Sequence, residues 1–332
     1  MPLFDAYLVV DWSAANGLRP KHPVKDAVWI GEQVGENRIR ETYHRSRKEG
    51  VDYLVSRLLH HAEAERKVLV GFDFSFSFSA GFSRALDLVE SGRPPADRKD
   101  SERLWQAIWK ELSRRVTDSD SSSDNAVNNR FTAAGELNTI IGGGKKGPFW
   151  GCPRGKTVPG LGHRSPGFPF QASCGAVLER LRWTEVSLPG TQETWKLYGA
   201  GSVGGQTLTG IPYLHRLRYD PRLEEVSRIW PFETGFTSNP VVAAASSSRY
   251  GPCIVFAEVW PGVVRERTRA LLDADPSLIR DRAQVRSLCS WFAELDGQGL
   301  LSRLFDTPPG LDTAAIEVCI EEEGWALGVR SV

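Results

Sequence analysis

The sequence predicts an α/β protein whose core is interrupted by a large irregular insertion. Three observations carry this. An apolar, β-branched run opens the chain; a pattern of three strands, one helix and one strand follows; and regular periodicity returns near the C-terminus after a stretch ruled by glycine and proline. Residues 6–10 form the opening run, which ends at Asp11 and reads as a buried strand. Residues 27–31 and 38–43 are the second and third strands, bounded by polar or glycine-bearing turns. Val51, Leu54, Val55, Leu58 and Ala62 recur at helical spacing and place an amphipathic helix over 50–64. Residues 67–72 give a fourth strand, again followed by an acid, Asp73.

The middle of the chain differs. Trp105, Ile108, Trp109, Leu112 and Val116 mark one helix face, and then 118–125 is a serine-aspartate run, expected to be a solvated loop. Over 142–170 no periodic pattern survives. The expected division is therefore a first core half over 1–90, an irregular insertion over 91–200 that shapes a site, and a second core half over 201–332. In that second half, 253–259 reads as a strand with Glu258 near its end. Residues 281–295 read as a helix with the stripe Val285, Leu288, Cys289, Phe292, and Asp281 lies one turn before Val285 on the same face.

Composition narrows the function classes. Hydrophobic residues at 41% suffice for a large core, and Lys+Arg 41 against Asp+Glu 41 is not the excess of cations that a general nucleic-acid coat needs. Five dispersed cysteines without a CxxC pair argue against a disulfide framework and a thiolate zinc site. Without a basic, apolar leader or a membrane-length apolar stretch, the expectation is a soluble cytoplasmic protein.

The chemistry lies in the acids. Val10-Asp11-Trp12-Ser13 and Phe72-Asp73-Phe74-Ser75 repeat one pattern at two strand ends. Ligands of open α/β sheets bind outside the carboxyl ends of parallel strands, where Asp11, Asp73 and Glu258 are expected to meet, with Asp281 reaching in from its helix. Clustered carboxylates repel unless a cation neutralises them, and hard Mg²⁺ or Mn²⁺ prefers such oxygen donors. An Asp at a strand end is also a common turn former or helix cap, which is the competing reading of each acid alone.

The order of acids (strand one, strand four, late strand, C-terminal helix) resembles the ribonuclease-H-like superfamily. The segments Val9-Val10-Asp11-Trp12-Ser13-Ala14, Val70-Gly71-Phe72-Asp73, Asn128-Asn129-Arg130-Phe131, Gly147-Pro148-Phe149-Trp150-Gly151-Cys152-Pro153, 198–212, Trp230-Pro231-Phe232-Glu233-Thr234-Gly235 and Asp281-Arg282-Ala283-Gln284-Val285 resemble a bacterial family of predicted RNase-H-like nucleases, whose members often carry names borrowed from cobalamin biosynthesis. The resemblance implies an RNase-H-like mixed sheet flanked by helices and metal-dependent phosphoester hydrolysis, with Asp11, Asp73 and Asp281 as metal ligands. It does not imply a substrate. One departure stands out: ribonucleases H carry a glutamate on the first helix, and here Glu49, Asp52, Glu63 and Glu65 all lie off the Val51/Leu54/Leu58 stripe.

Around the acids, Asn128-Asn129-Arg130 reads in two ways: Arg130 clamps a phosphate while Asn128 and Asn129 read a base or sugar edge, or the segment is a turn anchored by the arginine. Gly201, Ser202 and Gly204, with Gln206 beside them, form a possible amide cradle for one phosphate. As a dinucleotide fingerprint the same loop fails, since Gly210 and Pro212 are expected to break any following helix. Trp12, Trp150 and Trp260 are candidates to stack a base. Gly155-Lys156-Thr157 lacks the earlier glycine and the strand of a P-loop, and Asp118, Asp120 and Asp124 lack the glycine and ligand of a calcium loop, with Ser122 and Ser123 in those places. His60 and His61 are expected on the surface, and His163 is a lone candidate acid or base. The expected substrate is a nucleotide or short single strand. The alternatives are an actin-like ATP-dependent phosphotransferase and a non-catalytic nucleotide-binding module.

Overall fold

A computed structural model of the chain describes residues 2–88, 103–119, 127–188, 190–244 and 253–329. The chain opens with strands β1 (Ala6–Asp11), β2 (Val28–Val34) and β3 (Arg40–His44), helix α1 (Arg47–Glu63) and strand β4 (Lys67–Phe72). The middle supplies α2 (Phe82–Ala85), α3 (Leu104–Arg115), α4 (Arg130–Ile141), β5 (Phe170–Gln171), β6 (Val177–Leu178) and α5 (Trp183–Val186). The last part holds α6 (Val203–Arg218), β7 (Ser227–Ile229), α7 (Pro240–Ala244), β8 (Cys253–Val259), α8 (Arg265–Ala274), α9 (Arg280–Gly297), α10 (Thr313–Val318) and β9 (Ala326–Leu327).

The main sheet is mixed, ordered β3-β2-β1-β4-β8-β7, with β9 also pairing β8. β2 runs antiparallel to both β1 and β3, whereas β1, β4, β8 and β7 run parallel. Strand side chains alternate between faces, so β1 sends Leu8 and Val10 to one face and Tyr7 and Val9 to the other. Both faces are covered, which is why the parallel strands read as unbroken apolar runs. On the Val10 face lie α1 (Val51, Leu54, Leu58), α3, α4 and α6; on the Val9 face lies α9 (Val285, Leu288, Cys289, Phe292). The protein is thus α/β, a mixed sheet flanked by helices.

Helix α9 holds the start of β1. Asp296, near its C-terminus, accepts hydrogen bonds from the Leu3 amide (2.7 Å), the Phe4 amide (2.9 Å) and the Tyr7 hydroxyl (2.6 Å). Burial and the adjacent Asp296 push the Tyr7 hydroxyl far above its ordinary pKa, so it stays a donor.

Four expectations are corrected here. Helix α6 runs sixteen residues through Gly210 and Pro212; its Leu208, Ile211, Leu214 and Leu217 are buried, and that packing outweighs the proline's lost hydrogen bond. Within the expected irregular stretch, α4 is a twelve-residue helix that periodicity misses because its buried residues lie on more than one side. His61 is fully buried, with Nε2 2.8 Å from Glu32, which Arg57 also holds. The serine-aspartate run is described only to residue 119; Asp120, Ser122, Ser123 and Asp124 lie outside the described residues. Asp118 is no solvated acid: its side chain is 8% exposed and accepts two bonds from Arg47 and one from the Tyr213 hydroxyl.

Candidate active site

Parallel pairing sets Val10 opposite Phe72, so the next residues, Asp11 and Asp73, stand side by side at the carboxyl edge and on one face. On the other face Trp12 and Phe74 meet, their rings 5.7 Å apart. The repeated strand-end pattern is therefore a real pair: two acids on one side of the sheet, two aromatics on the other. Asp73 Oδ1 accepts the Trp12 amide at 2.6 Å, which locks the two strand ends together.

Asp281 arrives in the first turn of α9, the helix packed on that same face, and its Oδ2 accepts the Asp26 amide at 2.7 Å. Ser13 Oγ donates to the Asp26 carbonyl at 2.7 Å, so the loop between β1 and β2 is pinned over the edge. Asp26 and Arg280 are neighbours that the sequence did not single out. Asp26 sits in a loop without periodicity, at φ +56°.

The electrostatics are those of crowded carboxylates. Asp11 is 8% exposed, and none of the described residues donates a hydrogen bond to its carboxylate. Its pKa is driven well above the usual carboxylate range by burial first, then by Asp73, Asp281 and Asp26, with Arg280 opposing. Burial pushes Asp73 up to about 7 against the Trp12 hydrogen bond, and Asp281 adds to the rise. Asp281 is also raised, by burial first. Carboxylates crowded together with few donors attract either protons or a cation.

Glu258 does not join them. It pairs with Phe72 and so belongs to the opposite face. Arg182, fully buried, holds both its oxygens, Nη1 at 2.9 Å and Nη2 at 2.5 Å, and the Phe76 amide donates to Oε2 at 2.9 Å. The expected fourth acid of the cluster thus stands on the opposite face, held by an Arg182 guanidinium that it shares with Glu185. It does border a cavity of about 60 Å³ that opens beside Asp73, with Ser75, Thr184, Gln192 and Trp260 on its walls. A larger groove of about 410 Å³ between α1 and α6 touches none of the predicted site residues.

The cradle is only partly formed. The Ser202 amide donates to the Gly199 carbonyl and the Gly204 amide to the Lys196 carbonyl. Gly204 is required for packing, since a Cβ there would stand 2.1 Å from the Thr194 carbonyl. Gly201, at φ +70°, lies against the Gln192 side chain. Gln206 donates to the Trp12 carbonyl at 2.6 Å, strapping the start of α6 to the residue after Asp11. Asn129 is spent internally, on the Thr117 amide and the Arg115 carbonyl, both at 2.8 Å, and Asn128 faces Arg130 and the Ala14 carbonyl. Neither amide is turned outward to read a base. Trp12 is 2% exposed with its indole bonded to Thr209, so it cannot stack a ligand, whereas Trp150 and Trp260 are half-buried. His163 is exposed and bonded to the Cys152 carbonyl.

The donor chemistry suits a hard divalent cation, but among the described residues no three His, Cys, Asp or Glu side chains are arranged to hold a metal by themselves. Mg²⁺ is commonly held by one or two carboxylates, with waters and substrate phosphate oxygens completing its shell. The Asp11–Asp73 pair offers two carboxylates on neighbouring strand ends. Comparison with known proteins returns no matching family model, no similar curated protein and no similar solved structure. Among the described residues no helix is long and apolar enough to cross a membrane.

Proposed function

We propose that the chain is a metal-dependent phosphoester hydrolase with an RNase-H-like core. The observation that carries this is Asp11: a buried carboxylate that receives no hydrogen bond from the described residues, beside Asp73 and with Asp281 raising its pKa further. Asp11 and Asp73 hold Mg²⁺ or Mn²⁺, and Asp281 adds negative charge from α9. The cation supplies charge neutralisation at the phosphate and activation of water. The Trp12 amide fixes the Asp73 oxygen that it bonds and so orients the carboxylate. The Asp26 amide does the same for Asp281. The substrate is a nucleotide or short single strand, consistent with a chain of zero formal charge.

The test is hydrolysis of mononucleotides, dinucleotides, single-stranded RNA and DNA, and duplexes in Mg²⁺, Mn²⁺ or EDTA, with Asp11→Asn and Asp73→Asn checked for folding. Metal-dependent cleavage that falls at least a hundredfold in both variants is expected. Turnover that survives in both, or no turnover together with no calorimetric binding of either cation, overturns the reading.

A further inference from the structure

We propose that Arg130, oriented by Asn16 and Asn128 against the first turn of α6, is the seat of a second phosphate group of the substrate. This rests on the reading that the carboxylate edge cleaves a phosphoester, and it narrows the substrate to a nucleotide unit that carries a phosphate besides the one cleaved.

Arg130 opens α4 and is 8% exposed. Its Nη1 donates to Asn128 Oδ1 at 2.7 Å and Asn16 Oδ1 at 3.2 Å, while its Nε is buried and makes no hydrogen bond. The guanidinium lies 4.3 Å above the Phe131 ring. Among the described residues no carboxylate stands within ion-pairing distance of it. The nearest acid that acts on it, Asp118, is held through both oxygens by Arg47. Amide oxygens orient a guanidinium without neutralising it, and an uncompensated buried cation is costly. Burial, then Arg47, pushes the Arg130 pKa down to about 10, the direction an unneutralised cation takes.

The surroundings suit an anion. A Cβ at Gly205, in the first turn of α6, would stand 3.1 Å from the Leu197 carbonyl oxygen, 3.3 Å from Arg130 Nε and 3.4 Å from the Ala14 Cβ. The side-chain-free start of a sixteen-residue helix therefore meets the guanidinium directly, and the N-cap Ser202 makes no side-chain capping bond there. Helix N-termini and arginine both favour phosphate oxygens. Ala14 is three residues from Asp11, at most about 10 Å of extended chain. A substrate that places one phosphate at each position carries them about a nucleotide or two apart. A single-phosphate ester cannot fill both.

The first probe is inorganic phosphate added to the full chain in EDTA, followed by calorimetry and ³¹P linewidth. Saturable binding is expected in the wild type, unchanged in Asp73→Asn and at least tenfold weaker in Arg130→Gln. Should Arg130→Gln fail to fold, Gly205→Ala leaves Arg130 in place and puts a methyl in the notch, with the same loss expected. The second probe is a dinucleotide with and without a 5′-phosphate. Arg130→Gln is expected to raise KM about tenfold for the phosphorylated form alone, with kcat unchanged. The seat is refuted by a wild type that does not bind phosphate, by folded variants that bind it as well as wild type, or by an equal effect on both dinucleotides. Phosphate binding that follows Arg130 in a protein cleaving no dinucleotide would keep the seat and discard the hydrolase.

Discussion

Replacing Asp73 by Asn should stabilise the metal-free protein at neutral pH. A carboxyl whose pKa moves from 3.8 to about 7 has its charged form disfavoured by roughly 4 kcal/mol. Because the folded state holds that proton more tightly than the unfolded one, wild-type stability falls as pH rises from about 4 to about 7 and is level above. Asparagine mimics the protonated acid and keeps an acceptor for the Trp12 amide. The two proteins should therefore melt alike at pH 4. At pH 8 in EDTA the variant should be more stable by up to about 4 kcal/mol. With about 2.1 cal/mol/K per residue over 332 residues, that is a rise of about 5–6 °C. Calorimetric scans from pH 4 to 8 measure it, with the exposed Asp52→Asn as control. Adding Mg²⁺ should narrow that gap by binding the folded wild type alone, by about 2.7 kcal/mol for a hundredfold excess over Kd, and close it at about a thousandfold excess, about 4.1 kcal/mol. A pH-independent difference, or a wild type more stable in EDTA at pH 8, would refute the reasoning.

Other predictions follow from the same geometry. Arg182→Met strands Glu185 and Glu258 in the interior and should cost about 3–5 kcal/mol in urea unfolding. Glu32 lies in the reverse situation from Asp73. Burial would raise its pKa, but hydrogen bonds from His61 and Arg57 outweigh this and lower it to about 2. Its contribution is full above about pH 4.5 and is lost as pH falls through about 2, so Glu32→Gln should be destabilising at pH 7 by roughly 3 kcal/mol and neutral near pH 2. Gly204→Ala puts a methyl on the Thr194 carbonyl and should cost about 1–3 kcal/mol by thermal melting.

How far these features were legible depends on what each residue answers to. β4 and β8 match their expected bounds because both faces are covered, so length and apolar content alone define them. The Asp11–Asp73 pair was legible because the pattern repeats at two ends of parallel neighbours. Glu258 misled for a reason of parity: it lies one residue short of register with the two aspartates, which sends it to the other face, and no local signal announces Arg182 as its partner. Helix α4 was hidden because burial on several sides erases the polar stripe, and α6 because Gly210 and Pro212 read as helix breakers. Asn16 and Asp26 act through backbone and side-chain contacts made only after the β1–β2 loop folds back, contacts that leave no trace in residue order.

The grip of α9 on β1 has a consequence for when the site comes into being. Asp296 bonds residues 3, 4 and 7, and Asp281 stands over Asp11, so the first strand is completed by one of the last helices. At translation rates of about 5–20 residues per second, roughly 15–50 s separate synthesis of residue 11 from residue 281. Throughout that interval the Val9 face of the sheet lacks its cover and the carboxylate edge lacks its third acid. A nascent chain therefore exposes an apolar sheet face, and a chain cut short before α9 should be captured by chaperones instead of accumulating as a folded fragment.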